Sequence, residues 1–228
     1  ETILYGSSFV GYITRSELED CFVKNCSVYL ESEYDSYAGS VSSQIHDCET
    51  KNVHGLGGTV EAYADRNINI GGFTAIVNGG VVKNSSTSAT VRGNFTNAVL
   101  GGGFAGRLAY AGAVENCVTT SQIMIGQPTG SSSAVNRIGG FVGDTDNSVS
   151  TRSFKNNIAI NKIDAPYYSG SSSVNGGRVG GFIGDIPTEP TADTFSGNLY
   201  FNNGGENFQR RAGLQSTYKD DNAYVAEG

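Results

Sequence analysis

A short phrase built on Gly-Phe recurs along this chain, and no other feature constrains its fold as much. Gly72-Phe73-Thr74-Ala75-Ile76, Gly103-Phe104-Ala105-Gly106, Gly140-Phe141-Val142-Gly143-Asp144 and Gly181-Phe182-Ile183-Gly184-Asp185 are clear copies, and Ser8-Phe9-Val10-Gly11-Tyr12 is a further one. A unit this short cannot bury an apolar face alone, so each copy must stack on its neighbours. Scaffolds are built this way. Chemistry has to be shown separately, at a site.

Downstream of the phenylalanines runs a second phrase: an apolar residue, then Asn or Asp two positions later, then a small residue. Its copies are Val23-Lys24-Asn25-Cys26, Ile45-His46-Asp47-Cys48, Val82-Lys83-Asn84-Ser85, Val114-Glu115-Asn116-Cys117, Phe154-Lys155-Asn156-Asn157 and Phe195-Ser196-Gly197-Asn198. Together the two phrases imply about six coils. Successive phenylalanines lie 31, 37 and 41 residues apart from Phe73 to Phe182, so strands keep register while loops vary. The phrases are rich in Val, Ile, Phe, Thr and Tyr and bounded by Gly, Asn and Ser, which reads as strand. Only Phe208–Tyr218 shows helical apolar spacing. With 32 Gly, 4 Pro and no Trp, the chain suits many tight turns between short strands.

The expected fold is all-β: a right-handed parallel β-helix of about six irregular coils with a C-terminal cap. Coils are placed near 5–36, 37–70, 71–101, 102–138, 139–179 and 180–203, and 204–228 is a cap or linker in which Phe208, Leu214, Tyr218 and Tyr224 would cover the last coil. Parallel stacking predicts ladders about 4.8 Å apart. One is Phe9, Phe73, Phe104, Phe141 and Phe182; the other is Asn25, Asp47, Asn84, Asn116 and Asn156.

The stretch Gly71-Gly72-Phe73-Thr74-Ala75-Ile76-Val77-Asn78-Gly79-Gly80-Val81-Val82-Lys83-Asn84-Ser85-Ser86-Thr87 resembles the GLUG repeat, whose shape is G-G-hydrophobic-V-G, then N-x-G, then hydrophobic-x-N-S/C. The resemblance spans roughly residues 5 to 203. Coil two departs from it most, at Ala38-Gly39-Ser40-Val41. GLUG repeats occur in bacterial surface proteins, including accessory regions of IgA1-cleaving metallopeptidases and adhesins. The resemblance therefore implies an exported bacterial scaffold, extracellular and part of a larger surface protein. It carries over no catalytic residue: the zinc signature H-E-x-x-H is absent, since His46 precedes Asp47-Cys48-Glu49 and His54 precedes Gly55-Leu56-Gly57.

A net charge of −7 disfavours nucleic acid and anionic membrane as partners. No apolar run reaches the roughly 18 residues that span a bilayer. A chain opening at Glu1 reads as a mature protein or an excised fragment. Cys26, Cys48 and Cys117 share a repeat position with Ser85 and Asn157, so they read as small inward-facing residues. In-register side chains point the same way, which keeps Cβ atoms too far apart for a bridge and leaves free thiols.

Three constellations bear on chemistry. Asp144 and Asp185 each lie three residues after a phenylalanine and should stack on adjacent coils, with Arg107 one coil earlier. Two such carboxylates suit a retaining glycosidase or, with Asp146, a Ca²⁺ site; the plainer reading is a surface carboxylate ladder offset by Arg107 and solvent. Gly130-Ser131-Ser132-Ser133 and Gly170-Ser171-Ser172-Ser173, near Tyr167 and Tyr168, should project from one edge and bind a host glycan or protein, or serve as linkers. His46 and His54 lie on different faces without a third ligand. No cofactor is implied, and no catalytic residue is assigned. The function expected is an adhesin-like or structural module; the alternatives are a β-helix lyase or glycosidase and a pure spacer.

Overall fold

A computed structural model describes residues 2–95, 97–126, 136–145, 153–165, 178–185, 195–202 and 225–227. Among them there is no helix, and every strand pairing is parallel. The chain is an all-β solenoid. Sheet one holds six strands: Ile3–Ser7, Asp35–Gly39, Asn67–Gly71, Ala98–Gly102, Arg137–Gly139 and Arg178–Gly180. Sheet two holds six more: Val10–Thr14, Ser42–His46, Thr74–Asn78, Ala105–Ala109, Val142–Thr145 and Ile183–Asp185. The remaining strands form one long wall opposite both. Turns 3–32, 35–64, 67–95 and 98–125 are each described nearly all the way round, which gives about four full turns against the six or so expected. The fifth and sixth turns add strands to the same sheets.

Gly-Gly-Phe is the turn from sheet one to sheet two. Its first glycine folds back on the turn's own backbone: a Cβ on Gly102 would lie against Ala105 O and, at 2.8 Å, Phe141 O. Its second glycine meets the opposite wall, where a Cβ on Gly72 would sit 2.5 Å from Ser121 Oγ. The phenylalanine then points into the core. Phe73, Phe104, Phe141 and Phe182 stack with ring centroids 4.7, 4.9 and 4.8 Å apart, near parallel at 6°, 2° and 5°. The ladder is shorter than expected at its start. Val41 occupies the rung between Phe9 and Phe73, since Val10, Ser42 and Thr74 share one register, and Phe9 is left 49% exposed on the end turn.

Where the second glycine approaches the far wall, side chains reach across to it. Thr87 Oγ1 donates to Gly72 O at 2.8 Å, Ser121 Oγ to Gly103 O at 2.9 Å, and Asn161 Nδ2 to Gly140 O. These bonds divide the interior into two apolar cores. One gathers Ile45, Phe73, Val77, Phe104, Leu108 and Val114; the other gathers Ile68, Ile70, Val91, Val99, Ile123 and Ile138.

The asparagine ladder is present, with different members. Asp20, Asn52, Asn84, Asn116 and Asn156 hold φ of 55°, 53°, 50°, 54° and 56°, and Gly197 continues them at 65°. Asn and Asp adopt this left-handed conformation at low cost, so one corner is turned by the same residue type on each coil. Amides bond along the ladder: Asn116 Nδ2 to Asn84 Oδ1 at 3.3 Å and Asn156 Nδ2 to Asn116 Oδ1 at 3.2 Å. Asn25 and Asp47 belong elsewhere. Asn25 lies over Gly57 at another corner, and Asp47 lies between Arg15 and Gly79 at a third. Asn25 and Asp47 are themselves left-handed there, at φ of 53° and 49°, which is why their sequences imitate the phrase.

The cysteine positions shift with that register. Cys21, Val53, Ser85, Cys117, Asn157 and Asn198 follow the ladder, and from Ser85 onward the side chain accepts from the previous turn's N–H: Val53 N to Ser85 Oγ at 3.2 Å, Ser85 N to Cys117 Sγ at 3.4 Å, Cys117 N to Asn157 Oδ1 at 3.0 Å. Cys48 is buried at a different corner, and Cys26 is exposed rather than inward-facing. All four thiols are free.

Two measurements check this packing. Phe104→Ala should cost about 3–5 kcal/mol in urea unfolding, the usual cost of a vacated buried aromatic site, and Phe9→Ala far less; equal costs would contradict the stack. Burial pushes the Cys117 thiol up to about 12, so brief alkylation of the native protein near pH 8 should modify Cys26 first and Cys117 last, as read by peptide mass spectrometry.

Candidate functional site

The serine and tyrosine positions expected to bind a ligand, Ser131, Ser132, Ser133, Tyr167, Tyr168, Ser171, Ser172 and Ser173, lie outside the described residues. Their anchors are described. Residues 127–135 follow the strand Gln122–Ile125 and precede Arg137–Gly139, while residues 166–177 follow Ile158–Asp164 and precede Arg178–Gly180. Gln122 pairs with Lys162 and Arg137 with Arg178, so both segments depart from, and return to, neighbouring rungs at one corner of the solenoid.

Asp144 and Asp185 are stacked as the repeat demands: Arg107, Asp144 and Asp185 share one register on sheet two. They are not a surface ladder. Asp144 is 1% exposed and Asp185 3%. Among the described residues both pair with Arg137, on the adjoining sheet one, whose Nη1 lies 3.0 Å from Asp144 Oδ2 and whose Nε lies 2.8 Å from Asp185 Oδ2. Arg107 adds a longer contact, Nε to Asp144 Oδ2 at 3.7 Å. The strands bring this about because the turn between the two sheets is only Gly140-Phe141, so residues on either side of it face each other across the angle. Burial raises the Asp144 carboxyl above its usual range, opposed by Arg137 and Arg107 and assisted by Asp185.

Sequence reasoning missed Arg137, though a signal for it exists. Arg137-Ile138-Gly139-Gly140-Phe141-Val142-Gly143-Asp144 and Arg178-Val179-Gly180-Gly181-Phe182-Ile183-Gly184-Asp185 are the same eight-residue pattern. An arginine opens the phrase in both copies that close with aspartate. With Arg137 in place, the two carboxylates are held by guanidinium groups beneath the surface. Asp146 lies outside the described residues, and no group of three or more His, Cys, Asp or Glu gathers among the described ones.

The histidines do not converge. His46, on sheet two, takes a 2.9 Å contact from Asn78 Nδ2 at its Nδ1 and sits 3.3 Å from Asp47 Oδ2 through Nε2. His54 is on the opposite wall, bonded to Ser86 Oγ at 2.8 Å through Nδ1 and stacked on Phe22 at 4.9 Å. Both are half-buried and already have partners. On the same wall a shallow depression is lined by Glu31, Glu33, Tyr63, Asp65 and Asn94, where the hydroxyls of Tyr29 and Tyr63 bond Glu31 and Glu61.

No helix among the described residues is long and apolar enough to cross a membrane. No family model matches the chain, and no curated protein sequence matches it either.

The raised carboxyl has a definite pH consequence. Asp144 holds its proton more tightly folded than unfolded, so its contribution to stability is full below the unfolded value of 3.8 and is lost as pH rises through the higher folded value. Asp144→Asn cannot ionise. The stability of the native sequence relative to this variant should therefore fall between pH 3 and pH 7 in urea titrations; a rise would overturn the burial argument.

Proposed function

We infer that this chain is an adhesin-like or structural β-solenoid module of a bacterial cell-surface protein, presenting loops that bind a host glycan or protein. The observation that carries the reading is the shared anchorage of residues 127–135 and 166–177. Two segments of similar Ser-rich sequence spring from neighbouring rungs at one corner. A stacked core keeps such anchors in fixed relation while the segments themselves are free to vary. The GLUG resemblance supports the same reading and with it an extracellular setting.

A polysaccharide lyase or glycosidase on this fold needs carboxylates that reach substrate. Asp144 and Asp185 are instead held under Arg137, which favours the scaffold reading.

The test is a glycan array on the whole chain, read together with release of reducing sugar. Binding without release is expected. Release of sugar would overturn the reading in favour of an enzyme, and neither binding to glycans nor capture of a host-cell surface protein would reduce the chain to a spacer.

A further inference from the structure

The fifth and sixth turns meet at a group of charges. Asp144 lies in register with Arg107 on one side and Asp185 on the other along sheet two, and Arg137 reaches both carboxylates from sheet one. Arg178 stands next to Arg137 in its column and is the remaining charge by register. The strand Val142–Thr145 carries no other titratable group. Among the described residues, sheets one and two end at the sixth-turn strands Arg178–Gly180 and Ile183–Asp185. These two strands are paired on one side only, so the sixth turn is the part of the stack that opens at least cost to the rest.

Docking of the sixth turn changes the surroundings of Asp144 in three ways. It covers the side of the carboxyl that faces away from Arg107, and in the docked state Oδ1 is buried without a hydrogen-bond donor among the described residues. It places the Asp185 carboxylate on the adjacent rung. It also divides Arg137 between two carboxylates, with Nη1 on Asp144 and Nε on Asp185. Desolvation, a neighbouring like charge and a shared counter-charge each disfavour the ionised form of Asp144. The raised carboxyl agrees with this: burial is its main cause, and Asp185 adds to it against Arg137 and Arg107.

We propose that the sixth turn is a proton-linked clasp, which docks more tightly on the fifth when Asp144 holds a proton and loosens as that proton leaves to solvent. Coupling is reciprocal, so a docking step that favours the protonated carboxyl is itself favoured by protonation. Asp144 binds its proton more tightly docked than undocked. Its contribution to docking is therefore full below the undocked value and is lost as pH rises through the docked one. This is a local effect, confined to one end of the stack, and it acts on the strand Arg178–Gly180 to which residues 166–177 return.

Hydrogen exchange of the whole chain, read by mass spectrometry between about pH 4 and pH 7, tests this. The native sequence is compared with Asp144→Asn, and the ratio of their protection at each pH removes the intrinsic pH dependence of exchange. Thermal melting first confirms that both are folded. The ratio is expected to fall with rising pH for peptides covering Ile183–Asp185 and Leu199–Asn202, about tenfold for each unit by which docking raises the carboxyl. It should stay constant for Asn67–Gly71 and Thr74–Asn78 on the third turn. If Asp144→Asn does not fold, the ratio of native to Asp185→Asn takes its place and should fall in the same direction by less. The same comparison in an Arg178→Gln background should keep the fall, and its loss there would assign the effect to Arg178 and overturn the clasp. A ratio that is flat or rises with pH, or one that falls equally on the third turn, also overturns it.

Discussion

Two walls of this solenoid come closer than side chains allow, and the rest of the fold follows from that approach. At the turn between sheets one and two, the second glycine of Gly-Gly-Phe abuts residues of the opposite wall, leaving no room for a Cβ at Gly72 or Gly103. The phenylalanine beside it fills one core and the isoleucines before it fill the other. Coil two supports the steric argument by exchange. There the second glycine is replaced by Ser40, and the residue across from it is Gly55, where the next turns have Thr87 and Thr119; a Cβ on Gly55 would lie 2.5 Å from Ser40 Oγ. The space is conserved although the residues on its two sides trade places.

The same constraint explains what was legible in the sequence. Gly and Phe at that turn have no substitutes of equal shape, so their recurrence marked the stack, and Phe73 to Phe182 lie where the repeat placed them. The asparagine phrase was legible in its later copies only. Three corners of each of the first two turns, and two of each of the next two, hold a left-handed residue, and Asn25, Asp47 and Asn84 stand at three different ones. Sequence similarity followed the local backbone requirement, which is shared, rather than the rung, which is not. The constant interval was the better guide: ladder bonds such as Asn52 to Asp20 and Asn116 to Asn84 each span 32 residues.

Burial of the aspartates was not legible, because it depends on the angle between two sheets. A residue three positions past the phenylalanine reads as exposed until the preceding strand folds alongside it and brings Arg137 across. Alternation along one strand carries no information about a neighbouring sheet.

The distribution of interactions along the solenoid follows the length of its connections. The first turns repeat at an almost constant interval, and a register slip there would drive every core side chain to the wrong face. The fifth and sixth turns contain longer segments, which weaken the coupling between one strand and the next along the chain. At these turns the buried charges appear. A buried ion pair is a poor source of net stability, because desolvation offsets most of the attraction, but removing one partner is severely penalised. Arg137 donates a hydrogen bond to Asp144 on its own turn and ion-pairs with Asp185 on the next. A shift of the sixth turn against the fifth would separate Asp185 from Arg137, so the arginine couples the two turns where the sequence between their strands is longest.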